Sequence, residues 1–238
     1  MARRRPAQSA DERSSADDRA HERSEQKRAA ALRTLSFVLQ TSYFFMEAPI
    51  KLTLARKDYQ LKQILELQRA NLMESVDADT ASTQGFVTAT HDLPLLKRMG
   101  ETAAPVIAIR ERTVLGYCLA MDRSFKEDVP ALTFLIERQD GLLHRGQLLG
   151  ESEYLIMGQI CVAEEARGQK LPDRMYKYLR ACYHLRYTYC VTAVDARNTR
   201  SLRVHERVGF DELDRFTSAD GRNWVLVIWN WRDGMEGF

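Results

Sequence analysis

Residues 154–187 constrain the fold of this chain more than any other stretch, because a strand-like run, a polar loop and an amphipathic segment follow one another there. Residues 154–163 are apolar and rich in Ile, Val and Tyr, which predicts a buried strand. Residues 173–187 repeat apolar residues at helical spacing with Arg and Lys between them, which predicts an amphipathic helix. Its apolar positions are Met175, Tyr178, Leu179, Cys182 and Leu185. Pro172 suits the first turn of this helix.

The loop between this strand and helix, residues 164–172, is short, polar and basic. A helix N-terminus presents free backbone N–H groups and the positive end of the helix dipole. A strand, a short basic loop and a helix start therefore predict an anion site, and phosphate is the anion we expect there.

Two blocks of the sequence resemble the GNAT superfamily of N-acyltransferases. In that family a strand ending in Val precedes a pyrophosphate loop of the form Arg/Gln-x-x-Gly-x-Gly/Ala, and the loop here reads Arg167-Gly-Gln-Lys-Leu-Pro172. The Arg and the spacing match, whereas Lys170 and Pro172 replace the family glycines. The second block, residues 198–210, resembles Asn-x-x-Ala/Ser-x-x-x-Tyr-x-x-x-Gly-Phe, with His205 in place of the usual Tyr.

The resemblance covers roughly residues 50–231 and implies an α/β (α+β) fold. We expect a central mixed, mostly antiparallel sheet flanked by helices on both faces, formed by residues 46–238. Residues 1–45 are polar and mix basic with acidic side chains, which predicts an extension that is disordered or appended to the domain. A start of translation at Met46 is a sharper hypothesis for the same segment.

Local patterns predict several further elements. Asp58 is expected to cap a helix, and residues 90–100 are expected to form a short helix that ends at Gly100. A helix is expected within residues 125–140, and two hairpins are expected from the alternating strands around them. The hairpin strands are 106–110 with 114–121, and 211–217 with 224–231.

The resemblance implies acetyl-CoA as acyl donor and no metal. In the family, free backbone groups of the strand before the loop pair with the pantetheine arm of CoA. The positions that this assigns to CoA are Ile160, Cys161, Val162, Arg167, Gly168, Gln169, Lys170, Leu171, Pro172, Asp173 and Asn198. Three of these positions also have a purely structural interpretation. Ile160 and Val162 are ordinary core residues of a central strand. Asn198 has the residue type and the place of a helix N-cap.

His205 stands where the family Tyr often protonates the departing thiolate, and an imidazole with a pKa near ~6.5 suits that task. Packing of His205 on its own helix is an equal alternative. Well-known members carry a Glu base at the positions of Ile156 and Ala193, so no base is assigned here. Asp195 and Glu153 are weak candidates. The Arg-rich helix is expected to be a solvated face, with Arg200 or Arg203 as candidates for the CoA 3′-phosphate.

Two functions stay open on the sequence. The first is an N-acyltransferase in which an amine, small or on a protein, attacks the thioester directly; the alternative is a module that has lost catalysis and binds acyl-CoA or a protein partner. Four acidic residues between 125 and 149 would attract a cationic amine or form a solvated face. They are Glu127, Asp128, Glu137 and Asp140.

Composition bounds the remaining partners and the compartment. The net charge of +2 argues neither for nucleic acid nor for a membrane. Acidic residues interrupt the basic ones of the N-terminal segment, which disfavours a nucleic-acid partner, and the run at 35–50 is too short and too polar to span a bilayer. The four cysteines show no CxxC spacing and lie in apolar runs, which predicts buried thiols in a reducing cytoplasm. A homodimer is left open.

Overall fold

The computed structural model describes residues 27, 28, 32, 48–72 and 90–233. The predicted extension over 1–45 lies outside the described residues apart from three positions, and so does the proposed start at Met46. Both stay predictions. The described residues from Pro49 onwards group into one compact unit.

Seven strands build the central sheet of this unit, and two short strands form a separate hairpin. In chain order the strands are β1 (Lys51–Leu54), β2 (Val106–Arg110), β3 (Thr113–Met121), β4 (Leu143–His144), β5 (Gln147–Leu148), β6 (Tyr154–Val162), β7 (Tyr189–Asp195), β8 (Asp211–Thr217) and β9 (Asn223–Asn230). The sheet order is β1-β2-β3-β6-β7-β9-β8. Every neighbouring pair is antiparallel except β6 with β7, which is parallel.

Helices cover both faces of the sheet. They are α1 (Asp58–Ala70), α2 (Leu93–Thr102), α3 (Pro130–Asp140), α4 (Leu171–Tyr183) and α5 (Thr199–Val208). Helices α1, α2 and α3 bury Ile64, Leu96 and Ile136 in one core cluster. Helix α4 buries Met175 and its apolar neighbours in the second cluster, against which α5 also packs. The predicted fold class is therefore confirmed.

Two predicted helix ends on the first face are wrong. The N-cap of α1 is Lys57 and not Asp58, because the Gln60 side chain accepts the N–H groups of Arg56 and Lys57 at 3.0 Å each. Helix α2 runs through Gly100 to Thr102. Burial of Met99 and Ala103 on the core side offsets the ~1 kcal/mol that a glycine costs inside a helix.

Two further boundaries differ for local reasons. Residues 123–125 form a 3-10 turn and α3 begins only at Pro130, since proline suits a first turn. Helix α4 ends at Tyr183, so Leu185 lies beyond it and is 83% exposed. Three cysteines are buried as expected, but Cys182 is exposed, and that expectation was wrong. Within the described residues no helix is long and apolar enough to cross a membrane.

Candidate functional site

The parallel strands β6 and β7 pair along only part of their length. Backbone register joins three residue pairs, from Tyr154 with Tyr189 to Ile156 with Val191. Beyond these pairs the two strands continue without pairing to each other, β6 to Val162 along β3 and β7 to Asp195 along β9. The two strands therefore separate in the middle of the sheet and leave a gap bounded by strand edges.

A side chain marks the point of separation. Thr192 Oγ1 donates to the carbonyl oxygen of Met157 at 2.7 Å, directly after the last backbone pair. This bond satisfies a buried carbonyl whose ladder partner has moved away. The hydroxyl of Thr192 thus holds the start of the gap in place.

A β-bulge in β6 lies at the same level. The register with β3 pairs Met157 with Ala120 and Gln159 with Leu119, so Gly158 has no partner across the strand. Gly158 is exposed, although the residues on either side of it are buried. An extra residue locally disrupts a ladder and bends the strand. The bulge therefore exposes backbone at the mouth of the gap.

Side chains beyond the bulge form a buried polar network. Gln159 Oε1 accepts from Tyr117 Oη at 2.9 Å and from Gln68 Nε2 at 2.7 Å. The Gln68 amide also contacts His91 Nδ1 at 2.8 Å. Satisfied buried networks rigidify the core around them. This one ties β6 beyond the bulge to β3 and α1.

A small cavity of about 70 Å³ occupies the gap. Its wall on the β6 side includes Gly158 and Ile160, and its wall on the α5 side includes Asn198, Ser201 and His205. We call this cavity the passage. One larger cavity shares lining residues with it, and α5 also lines a second larger cavity.

The first of these larger cavities is a cationic pocket of about 610 Å³ at the N-terminus of α4. Its lining combines the loop before α4 with one face of α5. The lining residues are Gly168, Lys170, Pro172, Thr199, Arg200, Arg203, Val204 and Arg207. Four cationic side chains beside a helix N-terminus are suited to a polyanion.

The loop at this pocket achieves its turn without the family glycines. Lys170 is the N-cap of α4 and adopts the left-handed conformation, with φ 53° and ψ 33°. Gly168 also has a positive φ, of 80°. A side chain in the left-handed region costs on the order of 1 kcal/mol. Lys170 therefore keeps the backbone shape that glycine favours while adding a positive charge.

Two predicted loop residues point elsewhere. Arg167 donates to Asn71 Oδ1 at the end of α1, at 3.2 Å. Asp173 accepts both arms of Arg207 at 2.6 and 2.7 Å, and this contact lowers the pKa of its carboxyl group. Neither residue lines the cationic pocket, and nor do Gln169 and the buried Leu171.

The second larger cavity has the opposite character. It measures about 510 Å³ and lies between α3 and the β8–β9 hairpin. Its lining is mostly apolar and shares Met157, Gly158, Thr192, Ala193 and Trp224 with the passage. We call it the apolar cavity. Sequence reasoning missed it, because its walls come from four separate segments of the chain and no local pattern joins them.

His205 is buried next to the passage, with 3% of its surface exposed. Its Nδ1 lies 2.7 Å from the Ser201 carbonyl oxygen, and its Nε2 lies 2.6 Å from Tyr176 Oη. A carbonyl only accepts, so Nδ1 carries the proton and Tyr176 donates to Nε2. Burial lowers the pKa of the ring to about 4. Both nitrogens are thus engaged in an uncharged imidazole, which favours the packing alternative for His205.

Known structures resemble this architecture. A chain of the NatC complex, determined with Gag peptide and CoA, matches 76% of this chain and 98% of its own length, with 11% identity and a TM-score of 0.53. A putative acetyltransferase from Salmonella typhimurium, determined with acetyl-CoA, matches 77% and 95% with 11% identity and a TM-score of 0.52. A GNAT family acetyltransferase from Streptococcus agalactiae matches 77% and 96% with 12% identity and a TM-score of 0.51.

The chain has the GNAT fold. At the level of sequence, no protein-family model and no curated protein matches it. The likeness therefore lies in the fold and not in a sequence match.

The GNAT fold brings some predicted positions together and leaves others apart. Ile160 and Asn198 line the passage, whereas Cys161 and Val162 do not. Asn198 Oδ1 accepts the Ser201 N–H at 3.1 Å, as the capping alternative expects. Burial raises the pKa of the Cys161 thiol to about 12. This thiol therefore stays protonated and is a poor nucleophile.

The two positions at which family members carry a Glu general base lie at the apolar cavity in this chain. Ile156 and Ala193 both line it and supply no proton acceptor. The weak candidate Asp195 is held by Arg197 at 2.7 Å, and this contact lowers the pKa of its carboxyl group. The described part of the site thus offers an anion pocket, a passage, and an apolar cavity that shares lining residues with the passage.

Proposed function

We propose that this chain is an N-acyltransferase that uses acetyl-CoA as acyl donor. The single observation that carries the proposal is the gap between β6 and β7, which exposes strand edges at one level of a continuous sheet. An extended pantetheine arm is a chain of amides that can pair with such an edge. The fold likeness supports the same assignment.

The cationic pocket would hold the phosphates of CoA. Lys170 stands at the N-terminus of α4, and Arg200 and Arg203 line the same pocket from α5. Guanidinium groups bind phosphate through paired N–H donors, and the helix N-terminus adds backbone donors. Pro172 lacks an N–H group, so we assign part of the family's backbone contacts to the Lys170 side chain.

The reaction proposed is direct attack. The amine nitrogen forms a bond to the thioester carbonyl carbon, the C–S bond breaks, and CoA leaves as a thiolate. Backbone N–H groups of β6 near the bulge at Gly158 would polarise the carbonyl oxygen, and one such donor is worth about 3 kcal/mol in other enzymes. The protonated Cys161 argues against an acyl-enzyme on that thiol.

Protons would move through water in this proposal. The amine nitrogen loses a proton to solvent, and the thiolate regains one from solvent at the passage. An uncharged His205 that donates from Nδ1 to Ser201 has no acidic proton for the thiolate. We therefore assign His205 to positioning α5, whose residues Asn198 and Ser201 face the passage.

Calorimetry combined with a thiol assay tests this function. Acetyl-CoA is titrated into the full chain, with dephospho-CoA for comparison, and free thiol is then followed across a panel of amines. We expect micromolar binding that weakens without the 3′-phosphate, and amine-dependent thiol release. No binding at millimolar acetyl-CoA would overturn the proposal. Binding without thiol release on any amine would instead favour a module that has lost catalysis.

A further inference from the structure

The apolar cavity has walls from two parts of the fold. Its walls come from α3, through Leu132 and Leu135, and from the β8–β9 hairpin, through Phe216 and Trp224. Ile156 and Ala193 form its floor on β6 and β7. A volume of about 510 Å³ lies within the range of small-molecule sites, which are mostly apolar.

Specific contacts fix the two walls to each other. Phe134 on α3 and Phe216 on β8 pack with ring centroids 5.7 Å apart. Arg138 donates to Asp214 at 2.6 Å, and its guanidinium lies 5.0 Å from the centre of the Phe216 ring. The cavity therefore has preorganised walls, and its apolar lining is held in place.

The charges near the cavity are already matched. Asp220 and Arg222 are the charged residues of its lining, and Arg222 Nε donates to Asp220 at 2.6 Å. Ser218 also donates to the Asp220 carboxylate. An ammonium group that entered would thus meet a carboxylate neutralised by its own guanidinium, and burying an unpaired charge is costly.

The acidic residues expected to attract a cationic amine lie outside this lining. Asp128 contacts Arg98 at 2.5 Å, Glu137 contacts Lys126 at 2.9 Å, and Asp140 accepts from Tyr154 at 2.7 Å. Among the described residues, the cavity lining holds no carboxylate other than Asp220.

From this geometry we infer that the acceptor is a small aromatic amine whose amino group is uncharged at neutral pH. This inference rests on the proposed function. The aromatic body fills the space between Leu135 and Phe216, and the amino group faces Gly158 and Ala193, where the apolar cavity meets the passage. A nitrogen that is already unprotonated needs no base before attack, which agrees with the apolar residues at Ile156 and Ala193.

A matched pair of amines tests the inference. We would measure CoA release by the full chain at saturating acetyl-CoA with 4-methylaniline, 4-methylbenzylamine and spermidine. The first two share a ring but differ in the charge of the amine at neutral pH. We expect kcat/KM for 4-methylaniline to exceed the values for both cationic amines at least tenfold.

Two variants test whether the preference for 4-methylaniline arises in the apolar cavity. Leu135→Ser should lower kcat/KM for 4-methylaniline about tenfold, because small changes in an apolar pocket have effects of this size. Leu143→Ser, at a site 68% exposed and outside the cavity, serves as control and should change nothing. The acetyl-CoA affinity of both variants should equal that of the parent chain.

The outcomes separate the two proposals. Turnover of spermidine or 4-methylbenzylamine above that of 4-methylaniline overturns the acceptor class and leaves the transferase function standing. An unchanged kcat/KM in Leu135→Ser, with the same melting temperature, overturns the cavity as the acceptor site. Failure to bind acetyl-CoA overturns the function itself, and the acceptor class with it.

Discussion

The cationic pocket and the apolar cavity are similar in size, at about 610 and 510 Å³, and opposite in chemistry. One is built on a helix N-terminus and arginines, the other on aromatic and aliphatic side chains from α3 and the β8–β9 hairpin. The passage lies where β6 and β7 separate and shares Gly158, Thr192 and Trp224 with the apolar cavity. The difference teaches that one fold can build an anion site from a loop and a helix N-terminus, and an apolar site from side chains of distant segments.

His205 should contribute no charge to the passage that it lines, and the resulting pH dependence of stability is the largest expected effect. Burial lowers the pKa of His205 to about 4 in the folded chain, against ~6.5 when unfolded. The unfolded state therefore binds more protons between these values, so stability falls as pH drops from about 6.5 to 4. The loss from this group is about 3 kcal/mol.

Chemical unfolding across this pH range measures the effect. The double variant His205→Phe, Tyr176→Phe removes the imidazole and its hydroxyl donor together, and should lose that part of the pH dependence. His184→Gln, at a partly exposed histidine, should keep it. Equal pH slopes in the double variant and the parent chain would show that His205 is charged in the fold.

The cationic pocket should respond to loss of its arginines. In Arg200→Ala, Arg203→Ala, acetyl-CoA should bind roughly 100-fold more weakly, because two charge-assisted contacts to phosphate are lost. The melting temperature and the KM for 4-methylaniline should stay the same. Arg69→Ala, at an exposed position on α1, is the control. Equal losses in the control would mean that general charge, and not the pocket, binds CoA.

The apolar cavity should respond to an added charge. Ala193→Glu places a carboxylate at its floor, where it can pair with an ammonium group and accept its proton. We expect the ratio of kcat/KM for 4-methylbenzylamine to that for 4-methylaniline to rise about tenfold. Ala193→Gln has a similar size without the charge and should not shift the ratio. A shift in both variants would point to shape alone.

Substitution of Lys170 in the loop before α4 should change stability by the smallest amount of the effects predicted here. Lys170→Gly removes the strain of a side chain at a left-handed backbone position, whereas Lys170→Ala keeps a side chain there. Both substitutions remove the ammonium group. We expect Lys170→Gly to be more stable than Lys170→Ala by about 1 kcal/mol in chemical unfolding. Acetyl-CoA affinity should fall several-fold in both. Equal stability of the two variants would contradict a strained Lys170.

Local sequence signals predicted much of the fold. The strand at 154–162, the first-turn Pro172 and the cap at Asn198 follow from residue types and spacing, and the structure has all three. The helix end at Gly100 was wrong because tertiary burial of Met99 outweighed the local preference of glycine. The short β4–β5 hairpin carried no strand pattern, since each strand has only two residues.

The candidate site was less accessible to sequence reasoning. Of the loop residues that the family resemblance assigned to CoA, Gly168, Lys170 and Pro172 line the cationic pocket, and so do Arg200 and Arg203 of the Arg-rich helix. The separation of β6 from β7 depends on long-range pairing, and the apolar cavity depends on α3 meeting the β8–β9 hairpin. The burial of both nitrogens of His205 likewise depends on Tyr176, which is 29 residues away.

Hydrogen exchange of backbone amides tests the central claim most directly, because that claim is that the gap between β6 and β7 receives the pantetheine arm. Saturating acetyl-CoA should slow exchange in residues 157–162 and 167–172, while α1 exchanges as before. Unchanged exchange in residues 157–162 at saturating acetyl-CoA would contradict the account.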